Sequence, residues 1–549
     1  MSYKEKIQQI IKEAINGASS IVSVERTKLK EHGDVSTNVA MVLAKDFKKN
    51  PFEIANEIKE KLKHYTSLIS HIEIAKPGFI NLVISDYALS ESLVEVLTRG
   101  KDYGFSPKNS KEKILIEYVS ANPTGDLHIG HGRQAVIGSC LLNLLEAYGH
   151  DTFSEFYIND FGEQIQKLNN TVEAIYKKMN GESIEWKEDF YPEETIRLYV
   201  EKVMKSIQIS NFHPQPSDLG QKVKDEILKT QKELLSSFGV NFNNWYSETT
   251  LHKNKKVEEV IEKLKEKGYT YEEGGAIWFK AKDLGDVRDR VLIRKDGRPT
   301  YLVADIAYHI EKFKRSEKLI TIWGADHHGQ EVSLKSALEA LGFDKEKLEV
   351  VFVQLVSLKK GEQEVKMSKR AGMVVNASDV LNEVGPDAFR FFLVETHPDN
   401  RMIFDIELAK KQDKENPVFY IQYAHARCCS IFRQLNEQNK NAPQAINSAE
   451  ILLNLFKTNN QEYTTTKNLV LKVLDFPEEV NQAAINRSPS RISNYLKELA
   501  SDFHIFYTTC RVISKDLNLT NTRLALIQAC KVTIANGLKI LGITAPEAM

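Results

Sequence analysis

Ile114 to Asp160, ILIEYVSANPTGDLHIGHGRQAVIGSCLLNLLEAYGHDTFSEFYIND, reads as strand, loop, helix and second strand. Ile114–Val119 is a short apolar run with β-branched members, the pattern of a strand buried on both faces. In the loop that follows, Ser120 to Asp126, Pro123 and Gly125 rule out continuation as strand or helix. A helix is expected from near His128 to Gly149, with Ala135, Val136, Leu141, Leu142, Leu144 and Leu145 at helical spacing. Thr152–Ile158 then predicts the next strand. The whole is a βαβ unit.

His128-Ile-Gly-His131 falls on the first turn of that helix, so the two imidazoles share a face. The same turn offers unpaired backbone N–H groups and the positive end of the helix dipole, which together attract phosphate. Gly130, without a side chain, lets a flat group such as adenine approach the backbone. Two histidines capping or packing a helix would be the plainer reading of an isolated pair. The strand before them and the Pro/Gly loop favour a nucleotide site of the mononucleotide-binding kind.

The motif ANPTGDLHIGH resembles the first signature of class I aminoacyl-tRNA synthetases, and its surroundings resemble the arginyl-tRNA synthetases. A second stretch, Lys366-Met-Ser-Lys369 followed by Arg370, resembles the second signature, KMSKS, with Arg in place of the last Ser. It lies about 240 residues after the first, beyond a last predicted strand Glu349–Leu358. A bare charge run of this kind is usually a solvated loop; two motifs in the family's order outweigh that. Some arginyl synthetases lack the second signature and carry a Lys three residues before the first His. That position is Gly125 in this chain, which resembles the subgroup with the intact loop.

The resemblance implies a multidomain chain: an α/β N-terminal additional domain over 1–107, a class I Rossmann-like catalytic domain over 108–378 and an all-α anticodon-binding bundle over 379–549. Residues 165–240 form an insertion of amphipathic helices in the catalytic domain. The segments His32–Ala40 and Pro77–Leu82 resemble the family's N-terminal domain, whose role is to contact the tRNA elbow. From the residues alone, His32–Ala40 is a turn with a Ser36 or Thr37 helix cap. From about 380 the pattern is helical to the end.

The resemblance also assigns residues. His128 and His131, with Lys366 and Lys369, are the catalytic set. Gly130, Gly324, Asp326, Lys366, Met367, Ser368 and Lys369 are implied for ATP. Glu117, Asn122, His128, Glu248, Tyr301, Asp305 and Gln330 are implied for arginine. Tyr301 and Asp305, four apart, face the same way on a helix; a carboxylate beside a phenol suits a planar guanidinium. Glu248 ends the stretch FNNWYSE, where Asn243 stands in place of the Asp of many relatives. An Asp just past a parallel strand, as at Asp326, is placed for ribose hydroxyls. Tyr420, Tyr423 and Arg427 share a helical face that could stack unpaired bases; a bundle seam fits the tyrosines equally well, and the resemblance of this NPVxYxQYAHAR segment favours RNA.

Composition sets the outer bounds. A chain of 549 residues should split into roughly two to four domains. Its 42% hydrophobic and 27% charged content is ordinary for a globular protein. The first fifteen residues read as an amphipathic helix and not a signal peptide, and no apolar run approaches about 18 residues, so no membrane partner and a cytoplasmic protein are expected. The five cysteines include no CxxC pair, and His327–His328 lacks a third ligand, so no protein-bound metal is expected. The net charge of −1 leaves a polyanion partner open. The resemblance implies ATP with Mg2+, L-arginine and tRNA(Arg) as partners, a monomer, and activation of arginine that waits for bound tRNA. Two other readings are a class I synthetase of different specificity and a non-catalytic tRNA-binding paralogue. A generic nucleotidyltransferase leaves the helical C-terminus unexplained.

Overall fold

The computed structural model describes all residues except 1–2, 19–21, 28–29, 109, 210–215, 362, 366–374 and 438–447. The central element is a five-stranded parallel sheet. Its strands are β1 (Lys113–Glu117), β2 (Asp151–Ile158), β3 (Asn244–Ser247), β4 (Lys318–Gly324) and β5 (Leu348–Val353), in the order β5-β4-β1-β2-β3. The order reverses between β1 and β4. In an open parallel sheet, ligands bind beyond the carboxyl ends of the strands at that point.

Helix α1 (Ile129–Ala147) crosses from β1 to β2 and buries most of its circumference, which is why its sequence is apolar nearly all round. It packs so close to the sheet that a Cβ on Gly138 would lie 2.3 Å from the Tyr118 ring. Between β2 and β3 stand three helices, α2 (Glu163–Met179), α3 (Glu193–Ile209) and α4 (Pro216–Ser237), with a small core of their own around Leu168, Val172, Ile196, Val200 and Val223. They overlap residues 165–240, the stretch of polar amphipathic sequence. Then follow α5 (Glu248–Lys253), a small antiparallel sheet over residues 270–293, α6 (Tyr301–Phe313) and α7 (His328–Ala340).

Two expectations need correction. The predicted strand Glu349–Leu358 is two strands: β5 ends at Val353, and Val356–Lys360 belongs to a separate sheet with Gln363–Val365 and Met402–Asp405. The break falls where the fully buried guanidinium of Arg133 on α1 binds the Gln354 carbonyl (2.8 Å), together with those of His397 (3.0 Å) and Asn400 (2.9 Å). Second, the chain beyond 380 is not helical throughout, because Met402–Asp405 pairs in parallel with Val356–Lys360. That strand is short and alternates, so its signal is lost between two helices.

The rest of the C-terminal part is helical, with α8 (Pro386–Val394), α9 (Pro417–Glu437), α10 (Ser490–Thr509) and α11 (Leu517–Leu541) as its main members. Helix α11 averages apolar enough to cross a membrane although polar residues interrupt it, so no single run reveals this; 72% of its most apolar window is buried inside the protein. The N-terminal four-stranded sheet and its helices rest on this bundle. Asp34 pairs with Lys467 at 2.8 Å and Lys4 with Asp475 at 2.7 Å, all four largely buried. The Gly33–Asp34 turn is therefore an inter-domain contact. The helix start expected to be capped by Ser36 or Thr37 is capped instead at Asn38, whose side chain makes no capping bond; Thr37 ends the preceding strand, and its Oγ1 accepts from the Val39 N–H (3.3 Å).

Candidate functional site

Past the end of β1 the backbone turns sharply: Val119 and Ser120 have φ of +71° and +43°. For a β-branched residue such as Val119 that is strained backbone, held only because its surroundings over-determine it. The Ser120 hydroxyl donates to Glu117 Oε1 (2.8 Å) and accepts from the Tyr157 N–H (3.1 Å), tying β1 to β2.

The loop ends at His128, which caps α1. His128 Nδ1 accepts from the His131 N–H (3.2 Å), and His131 Nδ1 accepts in return from the His128 N–H (3.4 Å). The rings stack with centroids 3.6 Å apart. The two histidines are thus a capping pair, the plainer reading, and more. With each Nδ1 accepting, the ring protons sit on Nε2, directed away from the helix backbone. A Cβ on Gly130 would lie 2.9 Å from the His128 ring, so only glycine leaves that ring its place.

Lys366, Met367, Ser368 and Lys369 lie outside the described residues. Their flanks are placed: Gln363–Val365 pairs with Val356–Lys360, and Asn376 forms a bridge with His128. The Ile129 N–H donates to the Val375 carbonyl (3.2 Å) and the Ala377 N–H to that of Leu127 (2.8 Å). The chain therefore returns from this stretch at the histidine pair.

Across the switch point, Gly324 ends β4, and Asp326 is exposed in the short turn that follows. Gln330 is exposed on the first turn of α7 and accepts from His327 Nδ1 (3.1 Å). His328 stacks on Phe352 at 3.6 Å. Among the described residues no cluster of three or more His, Cys, Asp or Glu is arranged to hold a metal ion.

Beside Glu117 lies a cluster of acidic side chains. Asp305 on α6 and Glu248 at the start of α5 both have their carboxyl groups pushed up to about 7, from ordinary values of 3.8 and 4.5. Burial is the main cause for each. Asp305 also feels the charges of Glu117 and Glu248, partly offset by Lys312, while the nearby Tyr157 hydroxyl partly offsets the rise at Glu248. Asn159, with its amide nitrogen turned inward, reaches Glu248 Oε2 at 2.9 Å. Tyr301 opens α6 and is 46% exposed; its phenol pKa is raised, by partial burial first and then by the charges of Glu163 and Glu248. Asn122 is exposed on the loop.

Sequence reading missed Lys312. Its ammonium is fully buried and makes three contacts: Glu117 Oε2 (2.7 Å), His309 Nε2 (3.0 Å) and Thr321 Oγ1 (3.1 Å). Burial and that ammonium hold His309 neutral, its pKa well below the usual range. A signal existed: Asp305, His309 and Lys312 make a polar stripe at i, i+4 and i+7 on a helix whose other residues, Glu311 apart, are apolar or aromatic. Asp160 was also missed; it accepts from Ser247 Oγ (2.7 Å) and from the N–H of Thr249 (3.0 Å), fixing the start of α5. Asn243 accepts from the N–H and the hydroxyl of Ser154, both at 2.8 Å, and fastens β3 to β2.

Tyr420, Tyr423 and Arg427 are brought together on α9, within the bundle. Tyr420 and Tyr423 lie against His504 of α10, ring centroids 4.5 and 5.7 Å away. The Arg427 guanidinium sits 5.1 Å from the centroids of both Tyr423 and Tyr507, and it donates to the Tyr423 hydroxyl. All three remain partly exposed, so they are seam and surface at once.

A doubly covered parallel sheet with a histidine-capped helix at its switch point and a helical C-terminal bundle defines a synthetase of class I architecture. Residues 92–424 match the family described as tRNA synthetases class I (R), catalytic domain. Residues 1–84 match the arginyl tRNA synthetase N terminal domain and 421–549 the DALR anticodon binding domain. The chain is 43% identical over 561 residues to an arginine–tRNA ligase of Bacillus licheniformis, covering 100% of this chain and 99% of that one. It is 41% identical over 537 residues to an arginine–tRNA ligase of Carboxydothermus hydrogenoformans, covering 96% and 94%. The solved Thermus thermophilus arginyl-tRNA synthetase shares the fold, with a TM-score of 0.77 at 23% identity over the full length of both chains. The chain belongs to the arginyl-tRNA synthetase family.

Proposed function

We propose that this protein ligates L-arginine to its cognate tRNA, using ATP and passing through arginyl-adenylate. The observation that carries the specificity is the acidic cluster of Glu117, Glu248 and Asp305. Asp305 and Glu248 resist ionisation while alone, and a guanidinium restores the charge balance by pairing with both. Tyr301 and Asp305, one helical turn apart, present a ring face and a carboxylate to that planar group.

In the first step an arginine carboxylate oxygen attacks the α-phosphorus of ATP; an O–P bond forms and the bond to pyrophosphate breaks. Charge builds on phosphate oxygens, so positioned donors matter more than a side-chain nucleophile. The Nε2–H groups of His128 and His131 donate to the phosphates. Gly130 admits the adenine, Gly324 and Asp326 take the nucleoside, and Lys366 to Lys369 meet the leaving pyrophosphate. Magnesium enters on the nucleotide's phosphates as part of the substrate. Asn122, Glu117 and His128 hold the amino-acid head, with Gln330 at the same end. Glu117 acts there from within its ion pair with Lys312.

In the second step a hydroxyl of the terminal ribose attacks the adenylate carbonyl and AMP leaves. Tyr420, Tyr423 and Arg427 contact unpaired tRNA bases. Residues 1–107, 108–378 and 379–549 serve respectively the tRNA elbow, the chemistry and the anticodon, and one chain suffices. The compartment is the cytoplasm, where tRNA is charged.

The test is ATP–pyrophosphate exchange with each amino acid, with and without bulk tRNA. Exchange with arginine alone, appearing when tRNA is added, supports both substrate and gating. Arginine exchange without tRNA removes the gating only. Exchange with another amino acid, or none with any, overturns the proposal.

A further inference from the structure

The loop 120–127 is not held by the sheet alone. Gln231 on α4 is 1% exposed, and its amide nitrogen donates to two loop carbonyls, those of Gly125 (2.9 Å) and Asn122 (3.2 Å). Its own Oε1 is buried without a partner, so the side chain's polar contribution is its two N–H donors. On α3, the Tyr199 hydroxyl donates to Asp126 Oδ1. Seven residues before Gln231, on the same face of α4, Lys224 reaches Asp160 at 3.7 Å, the residue that fixes the start of α5.

We propose that Gln231 and Tyr199 are positioning residues for arginine binding, the insertion helices acting as the frame that holds the strained loop with Asn122 aimed at the amino-acid head. The inference rests on the function proposed above and adds a role for the insertion. The local physics requires such a frame. The positive φ of Val119 and Ser120 costs free energy that the loop cannot recover by itself, and Pro123 removes one of its backbone donors. Two bonds from one buried amide fix the carbonyls on either side of Pro123–Thr124. The main chain from which the exposed Asn122 side chain projects is thereby fixed to a body of three helices packed on their own core.

Pyrophosphate exchange on the full chain with tRNA present tests this, using Gln231→Met and Tyr199→Phe. The expected result for Gln231→Met is a KM for arginine raised about 10- to 100-fold with the KM for ATP within about twofold. Tyr199→Phe shifts the arginine KM in the same direction by less. An unchanged arginine KM in both, or equal rises in the two KM values, overturns the inference and leaves a merely structural role. Should Gln231→Met fail to fold, Tyr199→Phe, which removes only a hydroxyl, decides by the same criterion. If the unsubstituted chain shows no arginine exchange, the functional proposal itself fails, and the inference with it.

Discussion

Lys312 Nζ lies 2.7 Å from Glu117 Oε2, with side-chain exposures of 0% and 7%. The pair is sealed between α6 and the end of β1, and all three ammonium protons have acceptors. It therefore meets the condition under which a buried ion pair is tolerated.

Removing one partner strands the other. Lys312→Met should destabilise the protein by about 3–5 kcal/mol, because Glu117 is left buried and unpaired. In the double variant with Glu117→Gln most of that loss returns, which denaturant unfolding of the single and double variants measures. Equal stability of single and double variants would show that the pair is not the cause.

Asp305 and Glu248 set a pH dependence of defined sign. Each folded-state pKa, about 7, lies above its ordinary value of 3.8 or 4.5, so the folded chain binds more protons than the unfolded one between these limits. Their contribution to stability is fully present below about pH 4 and is lost as pH rises through 7. In the proposed function arginine pairs with the ionised forms. The KM for arginine should therefore fall from pH 6 to pH 8, and arginine should raise the melting temperature more at pH 8. Thermal unfolding with and without arginine at both values checks this.

Arg133 binds main-chain oxygens at Gln354, His397 and Asn400 from the second turn of the helix that His128 caps. Arg133→Met should cost on the order of 3 kcal/mol by unpairing these buried carbonyls, measured by chemical denaturation. Arg133→Lys should recover only part, since one ammonium cannot reproduce the guanidinium fork.

In the bundle, Tyr423→Ala should raise the KM for tRNA by about tenfold, the loss of one stacked base, with the KM for arginine unchanged at saturating tRNA. A change confined to stability would make Tyr423 a seam residue only.

The central βαβ unit was legible because strands buried on both faces are continuous apolar runs and the Pro/Gly loop punctuates them. The histidine pair was legible for the same reason, its place at a helix start. The break after Val353 was not, because it is made by Arg133, 221 residues earlier. Gln231 looks in sequence like one more solvated residue of a polar helix; only the packing of α4 on the loop reveals its role. The acidic cluster was half legible. Tyr301 and Asp305 stand at helical spacing, but their neighbours come from elsewhere in the chain, Glu117 from the end of β1 and Glu248 from the start of α5, and no local pattern joins them.

Charging of bulk tRNA with arginine in competition with citrulline tests the central claim most directly. Citrulline keeps the shape of the side chain and replaces the guanidinium by an uncharged urea. The acidic cluster predicts that arginine is charged and that citrulline, even in roughly 100-fold excess, neither is charged nor slows the reaction, since a site built for a charged donor leaves its carboxylates unpaired against a neutral one. Charging of citrulline at a comparable rate, or charging of a different amino acid in place of arginine, would contradict the assignment of Asp305 and Glu248.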